Sequence, residues 1–237
     1  MSNTSKPASN QPKEYQDGWT EFLNCKIDLS KRPLIPRPET EYWLEQALQM
    51  IGHRMSNHLG GMRALDIFAG SGCIGVALAR KYPALHLTFA DNDPTMLEQV
   101  KINCDLNKLN SKSYTLIQSD IFSAMPGTYD FIFANPPYVP VGQGVGRPTS
   151  DGVNIMDHEP KEALYAGKEG LDVIMPFFEQ VREHLNPGGQ IWLEFGAEQK
   201  DAITNILREL NYYGDYNCAF HKDQHGAWRY VVLAGNT

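Results

Sequence analysis

The segment Asn135-Pro136-Pro137-Tyr138 follows directly on the apolar run Tyr129-Asp130-Phe131-Ile132-Phe133-Ala134, and its residue types suit one kind of chemistry. An amide or aromatic amine nitrogen is a poor nucleophile because its lone pair is delocalised. Acceptors placed around its N–H groups draw that lone pair toward an electrophile such as an activated methyl group. Asn135 can offer a side-chain oxygen and Pro136 its backbone carbonyl, while two prolines fix the backbone and bring no N–H of their own. Tyr138 can lie flat against a planar group and tolerate a transient positive charge on nitrogen. No strong base is required, since nitrogen becomes acidic once alkylated. Positioning and preorganised acceptors would supply the catalysis. Asn135, Pro136 and Tyr138 are thus the candidate catalytic residues, and residues 135 to 138 the candidate substrate seat. The plain alternative is a proline-rich turn capping a strand.

A second constellation points to a nucleotide-like cofactor. In Ala64-Leu65-Asp66-Ile67-Phe68-Ala69-Gly70-Ser71-Gly72-Cys73-Ile74-Gly75, a strand gives way to a glycine turn and a helix start. Gly70 and Gly72 allow a tight turn and close approach of a ligand, with helix N–H groups aimed at it. Such a loop alone is weak evidence, as dinucleotide enzymes share it. Asp91 ends the next apolar run, where an acid can accept bonds from both ribose hydroxyls, which favours an adenosine cofactor. Asp93-Pro94 reads chiefly as a helix cap, and Asp66 as an organiser of the loop. Asp120, after a third run, falls where an adenine ring would lie, and its neighbours could add an amide contact and an apolar wall.

These residues need a scaffold in which several strands end on one cleft. Short β-type runs at Ala64 to Phe68, Leu85 to Ala90, Tyr114 to Gln118, Asp130 to Ala134 and Gln190 to Phe195 alternate with helical periodicity near 73–81, 94–108, 170–185 and 197–210. Alternation of that kind marks βαβ units in a largely parallel, doubly wound sheet. Residues 214–221 and 228–234, joined by the polar turn Lys222 to Gly226, predict an antiparallel pair. That ending suits a methyltransferase better than a dehydrogenase.

Ahead of the sheet, residues 1–18 are polar and predict a disordered tail. Residues 19–52 predict a short hairpin around Phe22, Cys25 and Ile27, an extended Pro33-Leu34-Ile35-Pro36-Arg37-Pro38 stretch, and a helix with Leu44, Ala47, Leu48 and Ile51 on one face. Residues 53–237 form the catalytic domain in this reading. The glycine-rich loop from Gly142 to Asp151 could close over the cleft or serve as a connector.

Composition narrows the partners. A formal charge of −7 across 237 residues weighs against a phosphate backbone as direct substrate. Four scattered cysteines and His158, His221 and His225 show no metal-ligand spacing, so no metal is expected. No apolar run is long enough for a membrane span and no secretory signal is present, so the expected location is the cytoplasm and no membrane partner is expected.

Four segments resemble the protein-glutamine methyltransferases that modify the Gly-Gly-Gln loop of peptide-chain release factors in translation termination: Leu34-Ile35-Pro36-Arg37-Pro38-Glu39-Thr40-Glu41, the glycine loop, Asn135-Pro136-Pro137-Tyr138-Val139, and Asp157-His158-Glu159-Pro160 with Leu164 to Asp172. The first is the most specific, since adenine methyltransferases share Asn-Pro-Pro-Tyr but not this prelude. The resemblance implies a Rossmann-like class I fold dependent on S-adenosylmethionine, with a mostly parallel seven-stranded sheet ending in an antiparallel hairpin. It implies cofactor contacts at Phe68, Ala69, Gly70, Ser71, Gly72, Asp91, Ile121 and Asn135, beside Asp120 read from its position, and a release factor as protein substrate. Family members usually carry a helical N-terminal domain, whereas a short polar tail precedes Trp19 here. The alternatives are methylation of a base amine in RNA or DNA, and a non-catalytic S-adenosylmethionine-binding protein. Gly188-Gly189-Gln190 imitates the family's target, and Pro187-Gly188-Gly189 predicts a simple turn before a strand.

Overall fold

A computed structural model describes residues 11–55, 61–142 and 153–235. It begins with a short helix, α1 (Lys13–Asp17), closed by Gly18 in the left-handed conformation. The disordered tail expected over residues 1–18 is corrected for its described part. Composition missed a single anchor: the Tyr15 hydroxyl donates to the Pro33 carbonyl at 2.6 Å, and the Arg32 guanidinium lies 4.2 Å over its ring. Residues 1–10 lie outside the described residues.

Strands β1 (Trp19–Phe22) and β2 (Cys25–Asp28) pair antiparallel, joined by Leu23 and Asn24, both at positive φ. Two such residues make the turn whose twist matches a hairpin. After the extended prolines, α2 (Pro38–Met55) buries Trp43, Leu44, Ala47, Leu48 and Ile51 along one face.

The sheet follows: β3 (Arg63–Ile67), α3 (Cys73–Lys81), β4 (His86–Asp91), α4 (Pro94–Leu106), β5 (Tyr114–Gln118), β6 (Tyr129–Ala134), α5 (Ile174–Gln180), β7 (Leu185–Glu194), α6 (Lys200–Glu209), α7 (Tyr212–Asp215), β8 (Tyr216–Lys222) and β9 (Trp228–Gly235). Strand order is β5-β4-β3-β6-β7-β9-β8, with β9 antiparallel to both its neighbours and the remaining pairs parallel. Apolar residues cover both faces. The hairpin, α2, α3 and α4 share one core, and α5 and α6 share the other. That is the three-layer solution for a parallel sheet.

Two expectations shift in detail. The helix predicted over 170–185 is shorter, with α5 passing into a 3₁₀ turn at Val181–His184. Pro187-Gly188-Gly189 stands not before the strand but inside it. The β6 partners of Leu185 and Gln190 are Tyr129 and Phe131, so β7 bulges there, with Gly188 at positive φ. The loop from Gly142 to Asp151, read as either a cover for the cleft or a connector, lies outside the described residues from position 143 onward.

Candidate active site

Sheet register lines up the candidate residues. Gln118 is level with Asp91, Ala90 with Ile67, Ile67 with Ala134, and Ala134 with Leu193. The chain after each strand therefore leaves from one edge: Ser119 and Asp120, Asp91, the Phe68 loop, Asn135 and Glu194, side by side. In open α/β sheets this carboxyl edge is where ligands bind.

The glycine loop is held open from below. Asp66, fully buried, accepts the Gly75 N–H at 2.8 Å in the first turn of α3, and burial pushes its carboxyl up to about 8. Asp91 accepts the Gly70 N–H through Oδ2 at 2.8 Å and the Asp93 N–H through Oδ1 at 3.0 Å. Burial raises its pKa against those bonds. Asp93 caps α4 by accepting the Thr95 N–H, with Pro94 at the first position. Asn103 of α4 donates to the Ser71 carbonyl at 2.8 Å and to the Asp28 carbonyl at 3.1 Å, tying loop and hairpin together.

Phe68 and Ile121 both adopt positive φ, 61° and 48°, costly for residues with bulky side chains. Neighbours hold them there: Phe68 packs on Phe177 at 6.2 Å, and the Ser119 hydroxyl donates to the Ile121 carbonyl at 2.8 Å. At Gly70 an added Cβ would meet nothing nearer than the Phe68 carbonyl oxygen at 4.0 Å. Asp120 is exposed at the same edge.

A cavity of about 200 Å³ opens beside this edge, walled by Asn135, Pro136, Tyr138, Arg37, Glu194 and Arg229 among others. Asn135 sends its Nδ2 toward Thr40 Oγ1 at 3.4 Å. The Tyr138 hydroxyl donates to Glu194 Oε1 at 3.0 Å. Burial opposes the charge of Arg229, but Tyr138, Glu194 and its ion pair with Asp223 raise its pKa above the usual value.

The segment after Tyr138 is clamped. Val139 pairs in parallel with Tyr165, and the amide of Gln199 donates to the carbonyls of Tyr138, Glu169 and Gly170. Behind Arg37, one of the lining residues, Glu159 accepts the Ile35 N–H at 2.9 Å and pairs with the Arg37 guanidinium.

A family model described as Methyltransferase small domain matches residues 44–146. A release factor glutamine methyltransferase of Lactococcus lactis subsp. lactis is 31% identical over 224 residues, spanning 94% of this chain and 77% of that one. The chain belongs to the release factor glutamine methyltransferase family. A second relative of that name, from Koribacter versatilis, is 34% identical over 203 residues, covering 84% of this chain and 68% of its own length. The fold also matches the crystal structure of a ribosomal protein L11 methylase from Lactobacillus delbrueckii subsp. bulgaricus, with a TM-score of 0.56 and 16% identity, covering 89% of this chain and 83% of that one. It is the Rossmann-like class I methyltransferase fold.

In this member of the release factor glutamine methyltransferase family, three of the four segments singled out in the sequence line one cavity, and the glycine loop lies at the end of the neighbouring strand. Arg37 and Glu39 come from the Pro-Arg-Pro-Glu-Thr-Glu string, Asn135, Pro136, Tyr138 and Val139 from the Asn-Pro-Pro-Tyr-Val segment, and Leu164 from the last. Sequence reasoning assigned no role to Thr40, Trp43, Glu159, Glu194 or Gln199. Glu194 left one signal: an acid ending the apolar run Ile191-Trp192-Leu193 of a central strand. His158, His221 and His225 join no group able to hold a metal among the described residues.

Proposed function

We propose that this chain transfers a methyl group from S-adenosylmethionine to the side-chain amide nitrogen of a glutamine in a protein, the Gly-Gly-Gln loop of a peptide-chain release factor. One observation carries the reading. Asn135, Pro136 and Tyr138 wall a cavity at the carboxyl end of β6, and β6 is the direct neighbour of the strand that ends in the glycine loop.

The residues present suit the donor. Phe68, Ala69, Gly70, Ser71 and Gly72 form an edge loop in which a Gly70 Cβ would have no neighbour nearer than 4.0 Å, and Asp91 keeps lone pairs beyond the two it uses within the chain. Asp120 and Ile121 stand at the adjoining strand end. When bound, S-adenosylmethionine supplies a methyl group made electrophilic by its sulfonium. The chain's own residues do the rest. Asn135 Oδ1 and the Pro136 carbonyl accept the two hydrogens of the substrate amide and turn its lone pair toward the loop, Pro137 holds the backbone in register, and Tyr138 stacks on the amide plane. The released proton leaves from a nitrogen already made acidic.

Purified protein incubated with labelled S-adenosylmethionine and either release factor or RNA, followed by mass mapping, tests this. Label on the glutamine of the Gly-Gly-Gln loop is expected. Label only in RNA overturns it.

A further inference from the structure

We propose that Glu194, acting through Thr40, sets which end of the Asn135 amide faces the substrate, so that oxygen and not NH₂ is presented to the nitrogen being methylated. The inference rests on the substrate reading above and adds two positioning residues to it.

The problem it addresses is chemical. The two ends of an asparagine amide are almost the same size, yet one accepts and the other donates. Facing a substrate –NH₂, the wrong end sets donors against donors and leaves the nitrogen lone pair undirected. Something must break the tie.

The structure supplies a chain of fixed polarity. Glu194 is 1% exposed and, as a carboxylate, only accepts. Its Oε2 takes the Thr40 hydroxyl at 2.6 Å and the Trp43 indole N–H at 2.7 Å, while Oε1 takes the Tyr138 hydroxyl at 3.0 Å. Thr40, also 1% exposed, has a single proton, and that proton is committed to Glu194. Toward Asn135 its oxygen can therefore only accept. Asn135 answers with Nδ2 at 3.4 Å, which turns Oδ1 the other way. One buried carboxylate thus holds Tyr138 directly and orients Asn135 through one hydroxyl. It also links a threonine in the Pro-Arg-Pro-Glu-Thr-Glu string to a motif 95 residues away.

Thr40→Val keeps the shape and removes the hydroxyl, and Thr40→Ser keeps the hydroxyl. For Thr40→Val, kcat on release factor is expected to fall on the order of 100-fold, the loss typical of a slightly misplaced reacting group. KM for release factor and the affinity for S-adenosylhomocysteine should stay within about twofold, because a positioning defect acts on the chemical step. Thr40→Ser should recover most of the rate. Should Thr40→Val not fold, Thr40→Ala carries the same comparison. Wild-type kcat without the hydroxyl, or an equal loss in Thr40→Ser, overturns the proposal. The side-chain NH₂ resonances of Asn135, identified by their disappearance in Asn135→Asp, give a readout independent of turnover. They should shift in Thr40→Val and return in Thr40→Ser, and unchanged resonances overturn the relay even if glutamine proves not to be the substrate.

Discussion

Arg37 and Glu159, 122 residues apart in the chain, form an ion pair whose side chains are 10% and 0% exposed. The carboxylate also receives the Ile35 N–H, so it ties the extended proline segment to the wall of the cavity. Removing one partner of a buried pair leaves the other charged, desolvated and alone. Glu159→Ala should therefore lower stability by about 3–5 kcal/mol, which urea unfolding will measure. An unchanged midpoint would show that the pair is not held closed in solution.

Asn135→Ala removes the proposed acceptor and little else. Turnover should drop by roughly 100- to 1000-fold, in line with loss of one preorganised polar group at a reacting centre. Calorimetric titration should show S-adenosylhomocysteine still bound. Normal turnover in this variant would remove Asn135 from the mechanism.

Tyr138→Phe keeps the ring at the proposed substrate seat and deletes the donor to Glu194 Oε1. A buried acceptor deprived of its partner costs about 1–3 kcal/mol, so a lower unfolding midpoint is expected. Tyr138→Leu, which also loses the flat face, should cut kcat well below the Phe variant. Equal kcat for the two would deny the ring its stacking role.

Asp66 supplies a pH signature. Its folded pKa is raised by burial to about 8, whereas an unfolded aspartate titrates near ~3.9. Between those values the folded chain holds one proton more than the unfolded chain. Its contribution to stability is fully present below about pH 4 and is lost as pH rises toward 8, at up to about 1.4 kcal/mol per pH unit. Asp66→Asn cannot titrate, so its stability relative to wild type should climb across that window in parallel urea titrations. Curves that stay parallel would show that Asp66 does not change protonation there.

Gly75 lies against the ring of Phe89, where an added Cβ would sit 2.2 Å from a ring carbon. Phe89 is fully buried. Gly75→Ala should cost about 1–3 kcal/mol as overpacking, and would displace the start of α3 beneath the glycine loop. Thermal unfolding and cofactor titration of the same variant test both consequences.

The parallel strands were readable because each is a short apolar run closed by a residue of special type, such as Ala64 to Ile67 before the glycines or Phe131 to Ala134 before Asn135. Periodicity reports burial, and these strands are buried on both faces. It failed where a single long-range contact decides the outcome. Tyr15 orders α1 through a carbonyl at Pro33, and nothing in the composition of residues 11–18 carries that information. Likewise Asn135 and Tyr138 were legible from their motif, but the carboxylate behind them comes from another strand and the threonine from a helix over ninety residues upstream. Hydrogen-bond partners at such separations leave no local pattern.

Gly188-Gly189-Gln190 has a consequence for the chain's immunity to its own chemistry. Those residues are woven into β7, with Gln190 level with Phe131 on one side and Ala234 on the other. Gln190 stands four residues back from Glu194 along the strand, about 13 Å at strand spacing. To reach Asn135 it would have to be unzipped from two neighbouring strands, dismantling the sheet that sets the glycine loop beside Asn135. The decoy is disarmed by topology.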